Sequence, residues 1–213
     1  LNLNNIPQKK LLYCLEETLQ NCSTCREKKA KLGDCCEKCR TLNTAYQRYA
    51  DSNIPVKYWN IEMNKDFLGD PILMVKYQEV TKDLKQTYKS GTALCFAGSH
   101  GVGKSTVVTN ILKRAVEKGF SALYVTLNDV ITALISSPET KAEARNKFLT
   151  VDFLVIDEFD PRYMGSDNQS DLFGRVLEDI IRITSQNSLP IFMCTNAPDA
   201  ADSFKGPIKI TIK

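Results

Sequence analysis

Apolar positions in this chain follow two rhythms. In the second half, short continuous apolar runs at 92–97, 122–126, 153–156 and 191–194 have the length and composition of strands buried on both faces. Between them, apolar residues recur every three or four positions, as on one face of a helix. These helical stretches cover 105–118, closed by Gly119; 129–136, with Asn128 as its cap; 141–148; and 170–183, where Leu172, Val176, Ile180 and Ile183 share a face. Strands alternating with helices predict an α/β fold, a parallel sheet flanked by helices. Upstream, Asp70 before Pro71 reads as a helix cap with proline in the first turn. Leu73, Tyr77, Val80, Leu84 and Tyr88 then predict a single helix to about Lys89, stopped by Gly91. Residues 51–71, with Asn53-Ile54-Pro55 and Gly69-Asp70-Pro71, read as loop.

Composition adds bounds. The chain has 213 residues, 43% hydrophobic and 25% charged, with mean hydropathy −0.25. That suits one domain plus a small module and excludes collagen-like or wholly disordered chains. No apolar run approaches the roughly 18 residues that span a bilayer, and no leader pattern is visible. A cytoplasmic protein without a membrane partner is expected. The chain starts at Leu1, so a few residues are expected to precede it. Net charge is only +3, yet residues 1–50 carry nine Lys and Arg against five Asp and Glu. The run Arg26-Glu27-Lys28-Lys29-Ala30-Lys31 holds much of that excess; such runs are most often solvated faces.

Six of eight cysteines crowd into residues 14–39. Cys22-Ser-Thr-Cys25 and Cys36-Glu-Lys-Cys39 form two C-x-x-C pairs, each turning two sulfurs into one small volume. Two such turns supply the four thiolates of a tetrahedral Zn²⁺ site. Cys35 competes with Cys36 for one corner, and Cys14, among Leu11, Leu12, Leu15 and Leu19, reads as core. Disulfides, an iron–sulfur cluster or a redox pair are the alternatives; a cytosolic setting disfavours disulfides. Four thiolates leave no open position, so the zinc is expected to be structural and to supply folding energy for a module at 1–50. Cys95 and Cys194 sit in apolar runs and read as buried thiols.

Three motifs carry the chemistry. Gly98-Ser99-His100-Gly101-Val102-Gly103-Lys104-Ser105 fits G-x-x-x-x-G-K-[ST] between a strand and a helix, with Thr106 adjacent. Its glycines let backbone N–H groups converge on phosphate oxygens, and the helix adds its positive end. Lys104 is expected to reach the β- and γ-phosphates of ATP, Ser105 to ligate Mg²⁺, and Thr106 to lie by the α-phosphate. The strand ending in Asp157-Glu158 puts two carboxylates beside that loop, Asp157 for Mg²⁺ through water and Glu158 to polarise the attacking water. Asn196, with Thr195 second, ends the next strand and is placed to touch the γ-phosphate or orient water.

Together these motifs resemble the AAA+ ATPases and, more narrowly, the DnaC/IstB group of helicase loaders and transposon ATPases. Asn53-Ile54-Pro55…Tyr58-Trp59, Val155-Ile156-Asp157-Glu158 and Leu189-Pro190…Thr195-Asn196 carry that narrower likeness over about residues 53–204. A Cys₄ module ahead of the ATPase resembles DnaI-type loaders and phage relatives. The resemblance implies an AAA+ domain at 51–213, a hexameric replicative DNA helicase gripped by the N-terminal module, single-stranded DNA at the ATPase, and self-association. It implies that Ile54 to Trp59 lie near the adenine; as residues alone they read equally as packing core. It also implies a lid and an arginine from a neighbouring subunit after the Asn196 strand. No arginine follows Arg182, so Arg162, Arg175 and Arg182 are the substitutes, and an incomplete lid is expected. The alternatives are an IstB-like ATPase on duplex DNA and a non-catalytic, nucleotide-latched adaptor.

Overall fold

A computed structural model of the chain describes residues 36–159, 180–197 and 209–212. The first helix, α1 (Glu37–Asp51), is followed by a 3₁₀ turn (Val56–Tyr58), α2 (Met63–Asp66), α3 (Pro71–Lys82) and α4 (Leu84–Lys89). Then come β1 (Ala93–Ala97), α5 (Lys104–Glu117), β2 (Ala122–Thr126), α6 (Leu127–Ile135), α7 (Pro138–Thr150), β3 (Phe153–Phe159), β4 (Ile191–Thr195) and β5 (Lys209–Ile212). Residues 180–186 are helical.

The strands form one sheet in the order β2-β3-β4-β1-β5, every neighbouring pair parallel. Alternation along each strand sorts side chains onto two faces. Leu94, Phe96, Tyr124, Phe153, Val155 and Phe192 join the core formed with α1, α3 and α5. Cys95, Leu123, Val125, Leu154, Ile156 and Met193 join the core formed with α6, α7 and the 180–186 helix. Burying each large apolar side chain is worth about 1.5–3 kcal/mol, and Phe96, Phe153 and Phe192 are fully buried. The result is the α/β arrangement expected from the sequence, with helices on both faces of the sheet. Cys95 and Cys194 are buried thiols, and burial pushes Cys95 up to about 12.

Several local expectations are corrected. The helix expected from Asp70 to Lys89 is two helices, broken at Asp83 (φ −140°, ψ 88°), whose carboxylate recaps the second by accepting from Gln86 N–H. Residues 51–71 hold the 3₁₀ turn and α2 rather than loop alone. The cap of α6 is Thr126, not Asn128: β2 runs straight into the helix through a reciprocal Thr126–Asp129 capping box. α7 begins at Pro138 with Ser137 as its cap, earlier than expected. Of the expected 170–183 helix, only 180–183 lie within the described residues.

α1 runs through residue 50 and packs on α5: Arg48 donates to Val116 O and Tyr49 to Glu117. Tyr46 stacks on Trp59 at 5.3 Å between centroids, in the same core as β1 and β3. Just beyond α1, Ser52 O accepts from Tyr124 N–H and the Asn53 amide donates to Tyr124 O, covering the free edge of β2.

Candidate nucleotide site

β1 ends at Ala97, and the chain turns at its C-terminal end through Gly98–Gly103 into α5. Gly103 caps that helix with φ 100°, and Gly101 has φ 83°, conformations that side-chain-bearing residues rarely adopt. Lys104 opens the helix and is buried. Its ammonium donates to Gly98 O (2.8 Å), Ser99 O (2.8 Å) and the Asn196 side-chain oxygen (2.9 Å). Burial lowers the Lys104 pKa, against the pull of Cys194 and Asp157. Gly98 N–H donates to Thr195 O at 3.3 Å, tying the loop to the end of β4.

β3 extends three residues beyond the expected 153–156. Ile156 pairs with Met193, but the next pair is Phe159 with Thr195, so β3 carries one extra residue against β4. This is a bulge, and it re-aims the side chains around it. Asp157 stays buried; Glu158 turns outward with φ 55°; Phe159 drops into the face that holds Leu154 and Ile156. One Asp157 oxygen accepts from Glu158 N–H (2.8 Å), the other from the Tyr124 hydroxyl (2.7 Å). Burial, then the Asp157 charge, raise the Tyr124 pKa.

A cavity of about 730 Å³ opens between these parts. His100, Gly101, Gly103, Lys104, Ser105 and Thr106 form one wall, Asp157, Glu158, Thr195 and Asn196 another, and Tyr58 from the 3₁₀ turn a third. The loop, the acidic pair and the strand-end asparagine, separated in sequence, therefore converge on one space. Ser99 contributes its carbonyl to Lys104, and Val102 faces the core. Thr195 is buried, its hydroxyl accepting from Ala197 N–H, so Asn196 is the exposed member of that pair. Trp59 packs inward and donates to Ile54 O at 2.7 Å; of the Ile54–Trp59 segment, Tyr58 lines the cavity. Arg182 is exposed and donates to Gln186 outside the cavity lining. Arg162 and Arg175 lie outside the described residues.

The expected zinc ligands are divided by the same limit. Cys36, the residue capping α1, and Cys39 in its first turn are both buried, whereas Cys14, Cys22, Cys25 and Cys35 lie outside the described residues. Among the described residues no three His, Cys, Asp or Glu side chains gather as a metal cluster. No helix among them is long and apolar enough to cross a membrane.

Three contributions, one of them from a pair of residues, escaped the sequence reading. Tyr124 holds Asp157 from β2. Gly69 and Phe67 brace the phosphate loop from outside: Asp70 N–H donates to Val102 O at 3.0 Å, and a Cβ on Gly69 would lie 2.4 Å from that same oxygen. Gly69→Ala must therefore shift the loop. Overpacking of this kind costs about 1–3 kcal/mol, and nucleotide affinity is expected to fall about tenfold, read by titration with a fluorescent ATP analogue.

The third is Lys113, buried on α5, which donates to Tyr58 O and Ile61 O. Burial lowers its pKa from 10.5 to about 8. Between those values the unfolded chain binds more protons than the folded one, so Lys113 makes stability rise with pH across that window. Lys113→Arg stays charged throughout. The melting temperature of the wild type relative to Lys113→Arg is expected to climb from pH 8 to 10; a constant difference would contradict this.

Residues 94–204, more than half of the chain, match the family described as "ATPase family associated with various cellular activities (AAA)". The chain belongs to that family. The chain is also 29% identical over 137 residues to the replicative helicase loader DnaI of Bacillus subtilis (strain 168), a match spanning 62% of this chain and 43% of that protein. Among solved structures, the DnaC helicase loader aligns with TM-score 0.57 at 18% identity, over 74% of this chain and 99% of that one. A DnaI crystal structure aligns with TM-score 0.54 at 21% identity, over 68% and 76%. These structural likenesses show the AAA fold.

Proposed function

We propose that this chain is an ATP-driven loader of a replicative DNA helicase onto single-stranded DNA. What carries the reading is the sequence match to a replicative helicase loader over 62% of the chain. In the proposed cycle ATP lies in the 730 Å³ cavity, its β- and γ-phosphates on Lys104 and the loop amides, its base against Tyr58. The donor set suits Mg²⁺, with Ser105 offering a hydroxyl and Asp157 a carboxylate held by Tyr124; the ion would neutralise charge on the phosphates. Glu158 takes a proton from water as its oxygen bonds to the γ-phosphorus and the bond to the ADP oxygen breaks. Asn196, bonded to Lys104, orients the γ-phosphate. ATP orders an interface between copies of the chain and a single-stranded DNA surface, and hydrolysis releases both.

The N-terminal module is proposed as the helicase grip. Cys36 and Cys39 fit a share in a Zn²⁺ site with Cys22 and Cys25, because the cap and the first turn of α1 bring both thiols to one end of that helix. Bound zinc would act as a structural crosslink.

The test is size-and-mass analysis of the full chain with the host's replicative helicase, with and without a non-hydrolysable ATP analogue. A complex that needs residues 1–50 and the four cysteines is expected. No complex, with the protein folded and nucleotide bound, would reject the loader and turn attention to assembly on duplex DNA.

A further inference from the structure

Lys113 lies about two and a half turns along α5 from Lys104. It is only 7% exposed. Among the described residues its ammonium forms no salt bridge. Glu117, Glu62 and Asp66 act on it from a distance, and Arg114 opposes them. Its direct partners are neutral: Ile61 O at 2.6 Å, Tyr58 O at 3.1 Å, and the Tyr49 ring, 5.6 Å to the centroid. A buried charge without a countercharge is costly. Here it gathers the carbonyls of the segment leaving the 3₁₀ turn and clamps that segment between α5 and α1.

The residue so clamped is Tyr58, which forms a wall of the nucleotide cavity while its neighbour Trp59 packs into the core. The phosphate loop and Tyr58 are thus both fixed to α5, one at its first turn and one through Lys113. We propose that Lys113 is a positioning residue for ATP: it holds the turn that presents Tyr58 to the base, and so sets affinity for the nucleoside part without touching the phosphates. This rests on the reading of the cavity as an ATP site.

The test titrates the full chain, with Mg²⁺, against ATP and against inorganic tripolyphosphate, which has phosphates and no base. Wild type, Lys113→Met, Lys113→Arg and Tyr58→Ala are compared. Trp59 is the single tryptophan of the chain, so its emission reports on the turn. Lys113→Met is expected to bind ATP at least tenfold more weakly, to bind tripolyphosphate within twofold of wild type, and to lose the Trp59 response to ATP. Lys113→Arg, which keeps a charged donor, recovers part of the ATP affinity. Unchanged ATP affinity, or equal loss of both ligands, would overturn the proposal. If Lys113→Met does not fold, Tyr58→Ala decides: wild-type ATP affinity in that variant also overturns it, because Lys113 is argued to act through Tyr58. Wild-type protein that binds neither ligand defeats the ATP reading itself, and the proposal with it.

Discussion

Glu158→Gln is expected to keep ATP bound and to stop its turnover. Glutamine has the same shape, so the bulge and the outward turn at this position persist. What is lost is the carboxylate proposed to accept the water's proton. Removing a general base costs about 10²–10⁴ in rate, so phosphate release should fall by about that factor while the dissociation constant for ATP moves less than about threefold. The backbone supplies a second readout. Glu158 sits at φ 55°, where a side chain costs about 1–2 kcal/mol that glycine escapes. Glu158→Gly should therefore melt at a higher temperature and be equally inactive. A wild-type turnover rate in either variant would reduce Glu158 to a surface residue of a bulged strand.

Lys104→Met should separate folding from binding even more sharply. Its ammonium is buried against three neutral oxygens, and that burial already disfavours the charge. Losing a charge-assisted contact to phosphate costs about 3 kcal/mol, roughly a hundredfold in affinity. The protein without nucleotide should melt near the wild-type temperature, because methionine fills the stem's space without a charge to bury. ATP at a hundred times its dissociation constant stabilises by about 2.7 kcal/mol, and this increment should vanish in the variant. A variant that ATP still stabilises fully would remove Lys104 from the phosphate contacts.

The sheet was legible because four strands are nearly unbroken apolar runs, and the phosphate loop because its glycines serve a conformation that leaves a regular spacing. What was not legible depends on partners distant in sequence. Nothing in Phe153-Leu-Val-Ile-Asp157-Glu158-Phe159 announces a bulge; it exists only against the register of β4. Asp83 looks like any polar residue on a helix until its carboxylate recaps the next one. Asn128 reads as a cap by residue type, whereas β2 passes directly into α6 from Thr126. Tyr124, Gly69 and Lys113 carry no motif, since each acts on a residue 33 or more positions away.

The strand order also sets when the site comes into being. β1, which leads into the phosphate loop, and β3, which carries the acidic pair, share no ladder; each pairs with β4. As the chain leaves the ribosome, both motifs are complete long before Ile191–Thr195 emerges, yet no ladder spaces their strands until that strand inserts between its neighbours. Such long-range closure is slow compared with forming a helix. A nascent or truncated chain ending before Ile191 therefore holds every residue of the loop and of the acidic pair and still lacks the strand that sets their spacing. Competence arrives late in synthesis, with the strand that wedges the two halves apart.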